Sequence, residues 1–202
     1  FDNKNEFQVV IDMPEGTTLE RTAAVAKELG LYIGKNDKVT SYQTYAGTSA
    51  PISFNGLIRH YDMRSGDNVA DIQVNLVDKG ERKEQSHDIA KSMREGLQTI
   101  GERYNANVKV VEVPPGPPVM STIVAEIYGP DHAGQIKVAQ QIKELLLQTN
   151  NVVDVDWTVE ADQVEYKFEV DKDKAMKLGI PEVQILQSVN AALSGMPIGI
   201  MH

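Results

Sequence analysis

Residues able to do chemistry are few and scattered along this chain. Ser86-His87-Asp88 sets a hydroxyl, an imidazole and a carboxylate in a row. Adjacent residues at a helix start point in different directions, so the trio reads as a helix cap and not as a catalytic triad. His60, His87 and His132 show neither H-x-x-x-H nor H-x-H spacing, and His202 is terminal. Histidines placed this way read as solvated or structural, not as metal ligands. The absence of cysteine removes thiolate metal sites, cysteine nucleophiles and disulfide frameworks, and it fits a reducing or an oxidising compartment equally. The single Trp157 falls in a predicted strand and reads as packing. Asp12 is the most suggestive carboxylate: it closes an apolar strand, where an unpaired buried charge is costly. No nucleophile–base pair or metal-ligand constellation emerges. An enzyme is the least supported class, and no cofactor is expected.

Composition narrows the classes further. At 202 residues the chain is long enough for one large domain or two of about 100 residues. A hydrophobic content of 41% supplies ample core. The net charge of −9 argues against nucleic acid, which needs a basic surface to displace phosphate counterions. The basic cluster Lys79 to Lys83 is interleaved with Glu81 and Glu84 and reads as a solvated turn. No apolar run approaches the ~18 residues of a membrane span, and no leader is visible. Both ends read as cut from a longer protein.

The elements that would position these residues repeat with variation. Residues 6–13 predict a strand with Phe7, Val9 and Ile11 on one face. Thr17 and Glu20 have capping-box spacing for a helix to about Ile33, with Thr22, Val25, Ala26, Leu29, Tyr32 and Ile33 as its apolar stripe. A strand is expected from Val39 to Tyr45. In the clearest alternation, Ala70, Ile72, Val74 and Leu76 face one way and Asp71, Gln73 and Asn75 the other. Ser86 is expected to cap a helix carrying Ile89, Met93, Leu97, Ile100 and Tyr104, followed by a strand from Asn107 to Val113.

Pro114 to Pro118, PPGPP, makes a stiff connection because proline fixes φ and donates no ladder bond. It divides the chain into subdomains 1–116 and 117–202. Beyond it, strands are expected over Thr122–Tyr128, Val152–Val159 and Val164–Val170, with a helix from about Asp131 to Gln148. Asp171 to Gly195 predicts two short helices broken at Gly179-Ile180-Pro181, the second with Val183, Leu186, Val189 and Leu193 on one face. Short strand–helix–strand units with strict alternation predict an α+β (α/β sandwich) class. The expected form is two ferredoxin-like split βαβ subdomains, open sheets with helices on one face, the second incomplete.

Asp171 to Ile180, D-x-D-K-A-x-x-L-G-I, followed by a helix ending Ala191-Ala192-x-x-Gly195, resembles a segment found in each porter half of resistance-nodulation-division (RND) efflux transporters. Met13 to Thr22, MPEGTTLERT, resembles that family's strand-to-helix turn after the seventh membrane helix. The resemblance covers nearly the whole chain. It implies an extracytoplasmic, periplasmic piece of an inner-membrane protein, from the loop between the seventh and eighth membrane helices. The full protein would be a homotrimer working with a periplasmic adaptor and an outer-membrane channel, exporting small molecules.

The same resemblance implies site residues. A loop between two substrate pockets corresponds to the irregular stretch Ala46 to Asp67, with Phe54, Asn55, Gly56 and Leu57 at its centre; a surface connection is the plainer reading of these residues. This loop has one Phe and a proline at Pro51, which departs from the drug-pump pattern. The cleft between porter subdomains is lined in the family by first-strand positions that match Val10 and Asp12, and Ile123, Ala125 and Ile127; the plainer reading is that these faces are core. Metal-exporting members use soft methionine ligands for Cu(I) or Ag(I), for which Met13, Met63 and Met120 are the candidates. A hydrophobic-compound exporter is the first expectation. A metal exporter or a soluble ferredoxin-like ligand-binding module is the alternative.

Overall fold

The computed structural model describes residues 3–51, 63–112, 121–159, 162 and 164–200. Among them β1 (Glu6–Asp12), α1 (Leu19–Ile33), β2 (Val39–Thr48), β3 (Ser65–Leu76), α2 (Ser86–Glu102) and β4 (Asn107–Val111) follow in order. The strands form one antiparallel sheet in the order β2-β3-β1-β4. This is the split βαβ topology, with each helix crossing over one intervening strand. The class is therefore α+β with an open sheet, as the alternation predicted.

Period-two patterning decides which face the helices cover. Phe7, Val9 and Ile11 of β1 share a face with Ile72, Val74 and Leu76 of β3 and with Val108 and Val110 of β4. Val25, Ala26, Leu29 and Ile33 of α1 and Ile89, Ala90, Met93 and Leu97 of α2 complete one core with them. Fully burying one such aliphatic side chain contributes roughly 1.5–3 kcal/mol. Gly30 of α1 and Gly34, its C-cap, allow close approach of the edge strand: a Cβ on Gly30 would lie 2.6 Å from the Tyr42 ring, and one on Gly34 2.9 Å from it. Both helix stripes agree with expectation, except that α2 ends at Glu102 and Tyr104 packs on the core from the turn beyond it.

The helix starts differ from it. α1 is capped at Thr18, and Thr17 instead donates its hydroxyl to the Pro14 carbonyl at 2.6 Å, closing the turn before the helix. α2 is capped at Gln85, whose N–H donates to the Asp88 carboxylate at 3.4 Å. Ser86 is the first helical residue, and its Oγ accepts from the Lys4 N–H at 3.2 Å. Arg82 also corrects the solvated-turn reading of the basic cluster, since it is buried. Its guanidinium donates to the carbonyls of Val77, Lys4 and Glu84 and to the Asn3 side chain, clamping the chain entering β1 against the turn before α2.

The chain divides into two compact units, residues 1–161 and 162–202. The first also contains α3 (His132–Leu147), whose cap Asp131 accepts from the Gly134 N–H at 2.7 Å. The expected strands 122–128, 152–159 and 164–170 are not strands among the described residues. A strand exists through its ladder, and alternation alone supplies no partner. The Pro114–Pro118 join lies outside the described residues.

The second unit holds α4 (Lys172–Lys177) and α5 (Glu182–Ser194). Their junction is a complete Schellman motif: the Ile180 N–H donates to Ala175 at 3.0 Å and the Gly179 N–H to Met176 at 3.1 Å. Gly179 sits at φ +67°, where a Cβ would be strained. Pro181 is the N-cap of α5 and not its first helical residue. Phe168, Val170, Ala175, Leu178, Ile185 and Val189 line an apolar groove of about 270 Å³ within this unit.

Candidate functional site

With one sheet face given to the helices, alternate residues occupy the other. β1 contributes Gln8, Val10 and Asp12, β3 contributes Asp71 and Gln73, and β4 contributes Lys109. The register sets Val10 opposite Asp71 on one side and Lys109 on the other. Val10 is fully buried and Asp12 half-buried. Charges of opposite sign on neighbouring strands therefore flank one apolar side chain, and a network forms around it.

Arg64, just before β3, is the hub. Its Nη1 donates to Asp71 Oδ1 at 2.6 Å, and its Nη2 donates to the Ile11 carbonyl at 2.8 Å and to Asp12. Asp71 is fully buried. Its Oδ2 accepts from Gln8 Nε2 at 2.9 Å and from the Ala50 N–H at 2.8 Å, which ties the end of the β2 connection to the sheet. Lys109 Nζ lies 2.9 Å from Asp12 Oδ2 and also pairs with Asp156. Ion pairs taken out of water survive only with such added hydrogen bonds.

Three shifts follow from this geometry. Burial pushes the Asp12 carboxyl up, but Arg64 and then Lys109 outweigh it, and the net shift is downward. Burial pushes Lys109 down, and the carboxylates of Asp12 and Asp156 reverse this to a net rise. For Asp71 burial prevails over the Ala50 N–H and Arg64, leaving its pKa raised. The network thus holds Asp12 and Lys109 charged and leaves Asp71 the carboxylate whose charge is hardest to sustain.

A second set of contacts lies beyond β4. Arg94 of α2 pairs with Asp154 and donates to the Val110 carbonyl at 3.3 Å. His87 Nδ1 of α2 lies 3.0 Å from Glu112 Oε2, just past the end of β4.

The predicted site residues meet different fates. Val10 and Asp12 share the helix-free face, and Asp12, whose carboxylate suggested function, is partnered by Arg64 and Lys109. Ile123 and Ala125 are exposed and Ile127 half-buried, on a segment that is not a strand. Met13 is in the core with Val9 and Ile11, whereas Met63 is 74% exposed. Phe54, Asn55, Gly56, Leu57, Met120, His60 and His202 lie outside the described residues. Trp157 lies outside any strand, with Lys143 Nζ 4.3 Å from its ring centroid. Arg64, Asp71, Lys109 and Asp156 were missed. The available signal was a lone lysine inside the apolar strand NVKVV and an aspartate inside the apolar alternation of β3. Reading it required the strand order.

An open antiparallel sheet in the order β2-β3-β1-β4 with both helices on one face defines a ferredoxin-like domain. The chain belongs to the AcrB/AcrD/AcrF family, whose model matches residues 2–201; it is a porter fragment of an RND transporter. Two solved structures, both crystal forms of a heavy metal efflux pump, are similar to it. One aligns with TM-score 0.62 at 16% identity, and the other with 0.61 at 18%. Each alignment covers 93% of this chain and 19% of the pump chain, so the chain spans about a fifth of those proteins. No curated protein matches it at the sequence level. Among the described residues no helix is long and apolar enough to cross a membrane.

Proposed function

We propose that this chain is the extracytoplasmic porter part of a proton-driven efflux pump, and that its helix-free sheet face borders the substrate path. The observation that carries the reading is the family match across residues 2–201, joined to a sheet whose second face is built from fixed charges. On this reading the part is non-enzymatic and uses no cofactor. On the same reading Asp12, Ile123, Ala125 and Ile127 border the substrate path, Val10 is buried on the sheet face of Asp12, and Phe54 to Leu57 are further candidates for contact with the substrate. Export is a population shift among conformers of three protomers, driven by proton flow in the membrane part. A periplasmic adaptor and an outer-membrane channel complete the path, and the inner membrane carries the rest of the protein.

Hydrophobic compounds are the first substrate class, since apolar side chains such as Phe54 and Leu57 suit ligands of varied shape. Cu(I) or Ag(I) is the second. It is favoured by the heavy metal efflux pumps among the similar structures and by the exposed thioether of Met63. The test uses the intact transporter in cells lacking other pumps, with ethidium efflux and Cu(I) tolerance measured for Phe54→Ala and Met63→Ile variants. Loss of ethidium efflux in Phe54→Ala alone supports the first class, and loss of Cu(I) tolerance in Met63→Ile alone supports the second. Neither export by the unmodified transporter would overturn both.

A further inference from the structure

The segment 152–157 links two parts of the first unit by charge. Trp157 lies under Lys143 of α3, so its ring ties the segment back to the helix it follows. Asp154 pairs with Arg94 of α2, and Asp156 with Lys109 of β4. The cations are sheltered, with side-chain exposures of 18% for Arg94 and 5% for Lys109. Asp154 is as sheltered as its partner, at 19%, and Asp156 stands farther out, at 46%. No residue of α3 is fully buried, in contrast to α2. Left-handed backbone at Asn151 and Asp154, with φ of 66° and 55°, turns the segment so that its carboxylates meet the two cations. Asparagine and aspartate enter this region more readily than other non-glycine residues, which suits them to the turn. The cation reached by Asp156 is the one that also holds Asp12.

We propose that residues 152–157 form an electrostatic strap, latched to α2 and β4 by Asp154 and Asp156, which docks the α3 region onto the four-stranded domain and releases it without exposing core. Opening such a contact breaks two ion pairs and uncovers little apolar surface, so it can be repeated without unfolding the sheet. Lys109 makes the strap and Asp12 neighbours through one ammonium group. The inference concerns docking within the chain and stands whether or not the substrate-path reading holds.

The chain has no cysteine and one tryptophan, so Lys91→Cys on the exposed side of α2 gives a single labelling point with Trp157 as donor. Energy transfer from Trp157 to an AEDANS label there is expected to fall in Asp154→Asn with Asp156→Asn, while far-UV dichroism and the sheet's urea transition stay in place. Each single variant is expected to lose part of the transfer. A charge swap, Arg94→Asp with Asp154→Arg, is expected to recover transfer that either half alone loses, which a packing role would not produce. Unchanged transfer in the double Asn variant, or no recovery in the swap, would overturn the strap.

Discussion

β3 and the stretch 164–170 carry the same alternation, yet one is a strand and the other is not. In β3, Ala70, Ile72, Val74 and Leu76 are all buried, and the intervening Asp71, Gln73 and Asn75 face the open side. In 164–170 the equivalent residues stand in solvent, with Val164 at 78%, Tyr166 at 83% and Phe168 at 62% exposure. The helices repeat the contrast. α2 buries Ile89, Met93 and Leu97, whereas Val183, Leu186 and Leu193 of α5 are exposed. A pattern states which face must be covered, and covering it takes partners elsewhere in the chain.

Substitutions in the two regions should therefore separate widely. Ile72→Ala is expected to cost about 2–5 kcal/mol in the main unfolding transition, because it opens a cavity in a closed core. Tyr166→Ala, the matching change in the other stretch, should stay within about 0.5 kcal/mol. Urea denaturation followed by dichroism checks both, and equal effects would end the comparison.

Next in size is the open face of the sheet. Asp71→Asn weakens the hydrogen bonds from Arg64, Gln8 and the Ala50 N–H while Arg64 keeps Asp12, and we expect a loss of about 1–3 kcal/mol. The pH dependence gives the sign. The lowered pKa of Asp12 means stability that is present above its unfolded value of about 3.9 and is lost as pH falls through its folded value. Asp71 acts oppositely: with its pKa raised, the folded state takes up protons first, and its contribution grows as pH falls from its folded value toward about 3.9. Asp12→Asn should accordingly flatten the acid limb of stability against pH, and Asp71→Asn should steepen it. Urea midpoints from about pH 2 to 7 cover both windows.

The smallest expected effect is local. Gly179→Ala places a Cβ at φ +67° and should cost about 1 kcal/mol at the α4–α5 junction. It should appear as lost amide protection at Gly179 and Ile180, with the sheet's unfolding midpoint unchanged.

The first domain was legible because its elements repeat a local signal. The stripes Val25, Ala26, Leu29 and Ile33, and Ile89, Met93 and Leu97, name the helix faces directly, and the alternation of β3 names the sheet face. Gln85 displaced Ser86 as cap because Asn3 and Lys4, more than eighty residues away in sequence, hold the serine. The charge network was illegible for the same reason. Nothing near Asp12 in sequence announces Arg64 or Lys109, and only the order β2-β3-β1-β4 brings them together. The segment 164–170 was misread as a strand because alternation was taken for pairing, and 122–128 and 152–159 because a third strand–helix–strand unit was expected there.

The claim that the helix-free face borders a substrate path is tested most directly by thiol protection in the intact transporter, with cysteines elsewhere removed. One thiol is placed at Gln73 on the open face and, separately, one at Lys91 on α2. Maleimide labelling is timed with and without an exported organic cation such as ethidium, because Cu(I) would bind either thiol directly. The account predicts that the exported species slows labelling at Gln73→Cys severalfold and leaves Lys91→Cys unchanged. Equal rates at both positions, with and without the exported species, would contradict it.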